Sequence, residues 1–204
     1  MKLFKYNQFI NESNQNIDSI CNKYGIKNYT INQDGSIDVD GNVNLSSKKL
    51  TKLPLKFRNV SGNFWCYYNR RSGGDTGTLT SLEGSPQSVG GNFDCFNNKL
   101  TSLEGSPQIV GGDFNCYNNQ LKDVYGIKEG FRLGGRFYIE NNPVYQIFKL
   151  FPKDRYDEVI EFLNEYNVIR DGNKVILQAL EMVYDELGIE VPEEIEIEGY
   201  EIQF

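Results

Sequence analysis

A segment of 21 residues that occurs twice in succession constrains the fold of this chain more than any other sequence feature. The segment from Leu79 to Lys99 is followed by a nearly identical one from Leu100 to Gln120, so the period is about 21 residues. Repeats with periods of about 20 to 29 residues form stacks in which each unit contributes a short parallel strand and a turn. The repetition therefore predicts a stack of similar coils that share one continuous core.

The two copies also share the spacing of apolar residues and asparagine that is typical of leucine-rich repeats. The matching positions are Phe93, Cys95, Asn98 and Leu100 in one copy and Phe114, Cys116, Asn119 and Leu121 in the next. A first copy has Val43, Leu45 and Leu50, with Lys48 in place of asparagine. The next copy has Phe64, Cys66 and Asn69. A degenerate last copy has Phe137, Ile139, Asn142 and Val144. About five units follow, which predicts an α/β repeat fold, a short leucine-rich-repeat solenoid with parallel strands.

Each side-chain type within the repeat has a structural interpretation. Phe and Cys alternate with other residues along the predicted strand, so they face inward while the intervening residues face outward. Asn98 and Asn119 are expected to donate and accept hydrogen bonds to the backbone of neighbouring coils. Cys66, Cys95 and Cys116 are expected to pack inside the stack as inert thiols, without a disulfide or a metal ion.

The ends of the stack are predicted to be capped, because an open strand edge would aggregate. Residues 1–41 are expected to form a leader, a helix and a hairpin that turns at Asp34 and Gly35. Residues 42–144 contain the repeats, with an insertion at 70–78. Residues 145–204 form an acidic, mainly helical C-terminal region, with helices expected over 144–151, 154–166 and 173–187 and a last strand within 190–204.

Composition and charge exclude several classes of function. The chain has no histidine, which removes histidine-dependent catalysis and histidine metal sites. No apolar stretch approaches the roughly 20 residues that a membrane-spanning helix needs. Net charge is -7, and after Pro152 there are about fifteen acidic against four basic residues, a balance that disfavours nucleic acid binding. The start of the chain lacks a secretory signal, so we expect a cytoplasmic protein. From the residue content we expect neither a metal nor a cofactor.

The outward strand positions are the candidate partner-binding site. They are rich in aromatic side chains, which dominate the energetics of many protein interfaces. The predicted concave face carries Trp65, Tyr67, Tyr68, Asp94, Phe96, Asp113, Asn115, Tyr117, Arg136 and Tyr138. In the insertion, Arg70 and Arg71 are candidate contacts to an acidic partner, although the loop can also be a tolerated insertion without function.

The repeats resemble leucine-rich-repeat-like proteins encoded by tailed bacteriophages, some large viruses and bacteria. The resemblance covers most of the chain and rests on Tyr29 to Asp40, on Leu50 to Pro54, on the two Leu-Thr-Ser-Leu-Glu-Gly-Ser-Pro units and on Asn142-Pro143. It implies an interaction protein, and the family offers no catalytic residues to carry over. Residues 1–12 are similar to the capsid-targeting leader of large myophage internal head proteins, with Ile10-Asn11-Glu12 as the cleavage triplet, which implies packaging in the virion.

The sequence therefore predicts a non-enzymatic module that binds a protein, an inhibitor of a host defence or of another host protein in the infected bacterium. Two other functions remain open at this level. A carbohydrate-binding protein would use the same Asn, Asp and aromatic side chains, and a structural protein of the phage head would need no host target. An enzyme is disfavoured, because Asp94 and Asp113 would lie out of register on an open face that lacks a cleft.

Overall fold

The computed structural model describes residues 14–68 and 78–204. The chain is an α/β protein in which most strands are parallel and lie in two open sheets. The proposed leader at residues 1–12 and the insertion residues Arg70 and Arg71 lie outside the described residues. Within the described part of the chain, no helix is long and apolar enough to cross a membrane.

The N-terminal cap consists of a helix and a hairpin, as the sequence predicted. Residues 14–24 form helix α1, whose side chains Ile17 and Cys21 are buried. Strands β1 (Tyr29–Ile31) and β2 (Ile37–Val39) pair in antiparallel fashion. The turn between them is stabilised by Asp34, whose Oδ1 accepts a hydrogen bond from the backbone N–H of Ser36 at 3.0 Å. The cap therefore extends one sheet by a hairpin.

Each coil contributes two short strands, where the sequence predicted one. The six-stranded sheet has the order β1, β2, β4 (Phe57–Val60), β6 (Ser88–Val89), β8 (Ile109–Val110) and β10 (Arg132–Leu133). The five-stranded sheet has the order β3 (Val43–Asn44), β5 (Phe64–Trp65), β7 (Phe93–Asp94), β9 (Phe114–Asn115) and β11 (Phe137–Tyr138), all parallel. A pair of glycines separates the two strands in each of the middle coils, at Gly90-Gly91 and Gly111-Gly112.

The glycine pair lets neighbouring coils approach closely where the chain passes from one sheet to the other. A Cβ atom on Gly111 would lie 2.3 Å from the carbonyl oxygen of Gly90, and one on Gly112 would lie 2.1 Å from Asn92 Oδ1. Neither distance is compatible with a side chain at normal coil spacing, which is about 4.8 Å between strands. The corner therefore requires glycine at both positions.

A column of phenylalanine rings forms the centre of the core beneath the five-stranded sheet. Strand register places Phe64 beside Phe93, Phe93 beside Phe114 and Phe114 beside Phe137. Successive ring centroids are 5.6, 5.0 and 5.3 Å apart. The prediction that Phe and Cys of each strand face inward is confirmed, since Phe64, Phe93 and Phe114 and their partners Cys66, Cys95 and Cys116 are fully buried.

The C-terminal region packs on the last coil and departs from the prediction in two places. It contains α2 (Tyr145–Phe148), a 3-10 turn (Lys153–Arg155), α3 (Tyr156–Glu165), α4 (Leu177–Leu187) and a sheet of β12 (Ile169–Arg170), β13 (Lys174–Ile176) and β14 (Glu201–Gln203). The first helix is only four residues long, and the third helix begins at Leu177, four residues later than expected, because residue 173 ends a turn and Lys174–Ile176 form β13. The reason is a tight turn in which Asp171 and Gly172 have positive φ, so β12 and β13 form a hairpin.

Candidate functional site

The candidate site is the outward side of the five-stranded sheet, called here the outer face. Its side chains form three columns that run from coil to coil. They are Asn63, Asn92, Asp113 and Arg136 in the entry column, Trp65, Asp94, Asn115 and Tyr138 in the middle column, and Tyr67, Phe96, Tyr117 and Glu140 in the exit column. The structure thus brings together the predicted site residues except Tyr68, Arg70 and Arg71.

The entry column is a ladder of side-chain to backbone hydrogen bonds. Asn63 Oδ1 accepts the backbone N–H of Asn92 at 2.7 Å, and Asn92 Oδ1 accepts that of Asp113 at 2.9 Å. Asp113 Oδ1 accepts the N–H of Arg136 at 2.8 Å. Asp113 was predicted as a binding residue, but one carboxylate oxygen already holds the next coil. The signal for this role was the Asn or Asp that directly follows the glycine pair, which the sequence reasoning did not use.

A second ladder lies at the other end of each strand and confirms the structural role predicted for Asn98 and Asn119. Asn119 Nδ2 donates to the carbonyl oxygens of Cys95 at 3.2 Å and Cys116 at 2.9 Å, and its Oδ1 accepts the N–H of Leu100 at 3.0 Å. Asn98 Nδ2 makes the equivalent pair of bonds. Asn142 repeats the whole pattern in the last coil. The two ladders hold the outer face in a defined shape.

The middle column combines one indole, one carboxylate, one amide and one phenol on adjacent strands. Register pairs Trp65 with Asp94, Asp94 with Asn115 and Asn115 with Tyr138, and all four are half-buried. Burial and, to a lesser extent, the nearby Asp113 carboxylate raise the pKa of Asp94 to about 6, against the effect of a hydrogen bond from Trp65, which lowers it. Asp94 is therefore the titratable group on the outer face whose charge changes near neutral pH.

The exit column carries the aromatic residues predicted to form a row. The rings of Tyr67 and Phe96 are stacked, with centroids 4.4 Å apart and an interplanar angle of 11°. Tyr117 continues the column on the next strand and is 37% exposed, and its hydroxyl accepts a hydrogen bond from Asn141 Nδ2 at 2.8 Å. Mutual stacking thus covers part of Tyr67 and Phe96, while Tyr117 faces solvent.

Tyr68 was predicted at a strand position of the outer face, but it follows β5 and lies in the turn at the border of the exit column. Its role as a binding residue stays a prediction. Tyr68 has φ of 51° in that turn, where the other coils have Asn97, Asn118 and Asn141 at φ of 54°, 53° and 56°. Left-handed backbone is tolerated by asparagine and costs more for a bulky residue. In compensation, the Tyr68 ring packs edge-on against Phe96, with centroids 5.4 Å apart. Tyr68 therefore borders the exit column and widens its aromatic surface.

The interior beneath the outer face has no reactive character. Cys66, Cys95 and Cys116 are free thiols, and burial raises the pKa of each. A buried thiol with a raised pKa is not a nucleophile at neutral pH. No group of three histidine, cysteine, aspartate or glutamate side chains suited to a metal ion is present in residues 14–68 and 78–204.

The C-terminal region borders the outer face at its last strand. Lys153 Nζ lies 3.2 Å from Glu140 Oε1, which joins the 3-10 turn to the end of the exit column. Arg136, in the entry column of the same coil, is also exposed. The outer face therefore presents an aromatic exit column beside a middle column of mixed aromatic and polar side chains, with charged residues at its last strand. Comparisons with known proteins found no match, whether among family models, curated proteins or solved structures.

Proposed function

We propose that this chain is a short leucine-rich-repeat solenoid that binds a partner protein through its outer face and catalyses no reaction. The observation that carries the proposal is the aromatic row of Tyr67, Phe96 and Tyr117 beside Trp65, set on a face that two hydrogen-bond ladders keep pre-formed. Tyrosine and tryptophan bury much area at a low cost in conformational entropy, so such a row suits a protein interface. An open face without histidine suits binding better than catalysis.

The partner we propose is a host protein, with the chain acting as an inhibitor of a host defence enzyme or a related factor in the cytoplasm of an infected bacterium. This part rests on the resemblance of the repeats to phage-encoded proteins. A broad rigid face can occlude an active site without any chemistry of its own. The proposed partner class needs a direct test, which begins with the outer face.

The test compares two triple variants of the tagged full chain expressed in infected host cells. Trp65→Ala, Tyr67→Ala and Tyr117→Ala remove two of the three rings of the aromatic row and the neighbouring indole. Gln87→Ala, Ile109→Ala and Arg132→Ala are the matched control, because Ile109 and Arg132 are exposed on the six-stranded sheet and Gln87 is exposed directly before its strand β6. Mass spectrometry of the purified material should find one protein retained by the native chain and by the control and lost from the aromatic variant.

Two results would overturn the proposal. Equal recovery of the partner by both triple variants would remove the outer face as the interface. Specific binding on a glycan array, lost in the aromatic variant and accompanied by no protein partner, would instead assign the face to carbohydrate, since aromatic rings beside Asp94 and Asn115 also suit sugars. Circular dichroism of each variant checks that the fold is retained.

The proposal of virion packaging rests on residues 1–12, which lie outside the described residues. If the leader is cleaved after Glu12, peptide mapping of mature virions should find a chain that begins at Ser13. Expression of residues 13–204 in a host with a defence system should then raise the plating efficiency of a sensitive phage. Absence from virions contradicts packaging, and unchanged plating across a panel of defence systems contradicts defence inhibition. Packaging without any effect on plating would favour a structural role in the head.

A further inference from the structure

A second concave surface, called here the helix groove, lies between the turn at residues 127–131 and helix α3. Its volume is about 610 Å³, within the range typical of ligand sites. Its floor is apolar and consists of Ile127, Ile160 and Phe131. The helix groove shares no residue with the outer face, so the two surfaces can bind independently.

The rim of the helix groove is acidic. Asp157, Glu161 and Glu165 are spaced four residues apart on α3, so they lie on one side of the helix at intervals of about 6 Å. Glu129 adds a fourth carboxylate from the facing turn, and Lys128 is the one base that lines the groove.

Ion pairing within the chain leaves these carboxylates available. Arg155 pairs with Glu158 at the start of α3, and among the described residues no ion pair joins any of the four rim carboxylates. Asp157, Glu161, Glu165 and Glu129 are all exposed, so their side chains can turn toward a ligand.

One polar side chain that lines the groove, that of Asn164, has a hydrogen-bond acceptor without a partner in the described part of the chain. Asn164 lines the groove, and its Oδ1 atom is buried with no hydrogen-bond partner among the described residues. Its Nδ2 donates only long bonds, at 3.5 Å, to the carbonyl oxygens of Val124 and Ile127. The acidic rim favours a ligand that supplies positive charge and hydrogen-bond donors, which are properties of ammonium and guanidinium groups, and Asn164, which lines the same groove, has an acceptor that the described residues leave unsatisfied.

We propose that the helix groove binds a basic segment of a partner protein. The aliphatic stem of a lysine or arginine packs on Ile127 and Ile160, and its charged head lies among Glu161, Glu165 and Glu129. An extended segment fits better than a single small cation, because the carboxylates of α3 are spread over more than two helical turns and one small ion neutralises only part of that charge.

The test measures the binding of a labelled acetylated hexalysine peptide to the full chain by fluorescence anisotropy at low ionic strength. The variant Glu161→Gln with Glu165→Gln should weaken binding about tenfold, since it removes two of the four negative charges on the rim. The matched control is Glu193→Gln with Glu194→Gln, which makes the same change of charge at exposed positions far from α3 in the chain.

Three results would overturn the proposal. Equal weakening in the two double variants would show that net charge alone attracts the peptide, and absence of binding by the native chain would remove the site. Displacement of the peptide by an equal concentration of spermine would assign the groove to small organic cations. Peptide binding in the helix groove does not depend on whether the outer face recovers a partner protein. The proposal for the groove and the proposal for the outer face can therefore be refuted independently.

Discussion

At the scale of single residues, buried asparagine side chains bond the backbone groups of neighbouring coils. Asn119 satisfies two buried carbonyl groups and one buried N–H across two coils, and it is itself buried. Buried backbone groups that lose their partners each cost about 1 to 3 kcal/mol. One such side chain per coil therefore decides whether adjacent coils stay in register.

The replacement Asn119→Ala should lower the free energy of unfolding by about 2 to 3 kcal/mol. It leaves the buried N–H of Leu100 without its partner and removes one of the two donors to the carbonyl oxygens of Cys95 and Cys116, which keep their bonds from Asn98 and Asn142. The measurement is urea denaturation followed by circular dichroism. Gln120→Ala, at the exposed neighbouring position, is the control and should change stability by less than about 0.5 kcal/mol. Similar losses in the two variants would contradict the role of the ladder.

Asp94 should make stability depend on pH. Its pKa in the folded chain is raised to about 6 from the ordinary value of 3.8, so the protonated form is favoured by folding. Its contribution is fully present below pH 4 and is lost as the pH rises through 6. Asp94→Asn should therefore be more stable than the native chain at pH 8, by about 1 kcal/mol once partial exposure is allowed for, and the difference should shrink toward pH 4.

Denaturant titrations of the native chain and of Asp94→Asn at pH 4.5 and at pH 8 give the unfolding free energies that check this expectation. Asp185→Asn, on the exposed side of α4, is the control. A difference between native and Asp94→Asn that is the same at the two pH values would show that the Asp94 carboxyl group does not titrate between them.

At the scale of elements, the corner between the two sheets determines the shape of each coil. Gly90, Gly111 and Gly134 stack directly, since a Cβ atom on Gly111 or on Gly134 would lie 2.3 Å from the carbonyl oxygen of the glycine in the coil before. The glycine pair also separates two strands that would otherwise form one longer strand. The presence of two parallel sheets follows from this local feature.

Gly111→Ala should destabilise the chain by at least 3 kcal/mol, because the new methyl group meets backbone that cannot move without shifting the whole stack. Gly188→Ala is the matched control. Gly188 ends α4 at φ of +64° with nothing within 4 Å of an added Cβ, so that variant carries only the backbone cost of about 1 kcal/mol. If thermal or urea unfolding gave equal losses, close packing of the corner would not be the cause.

At the scale of the whole molecule, the C-terminal region is joined to the repeats by tyrosine hydroxyl groups. Tyr200 OH donates to the carbonyl oxygen of Lys122 at 2.6 Å, and Tyr125 OH donates to that of Ile169. The buried aliphatic side chains of α3 and α4 continue the core of the coils. The acidic region thus closes the end of the stack and forms one side of the helix groove, and residues 127–131 form the other.

Tyr125→Phe combined with Tyr200→Phe should speed amide hydrogen exchange in α3, α4 and the C-terminal sheet. Without these hydrogen bonds, local opening of the C-terminal region costs less free energy. Amides of β7 and β9, in the middle of the stack, should keep their protection. Tyr117→Phe, which alters a hydroxyl group on the outer face, is the control. Uniform acceleration across the whole chain would mean that the two parts open as one unit.

What the sequence by itself determined about this protein is the content of each coil. The spacing of Phe93, Cys95 and Asn98 and its repetition 21 residues later predict which side chains face the core and which asparagines bond neighbouring coils. These features follow from the sequence because they depend on local periodicity, and identical coils in register reproduce the same contacts. The helix and hairpin of the N-terminal cap follow from local patterns in the same way.

Only the tertiary structure decided the properties that arise between coils and between regions. The ladder through Asn63, Asn92 and Asp113, the stack of Tyr67 on Phe96 and the raised pKa of Asp94 each depend on distances between residues about 20 to 30 positions apart. The left-handed turn at Tyr68 and the helix groove depend on which segments meet. The spacing of residues in the sequence gives neither the distances between atoms in the folded chain nor the burial of side chains. Both determine the strength of packing, hydrogen bonding and charge interactions.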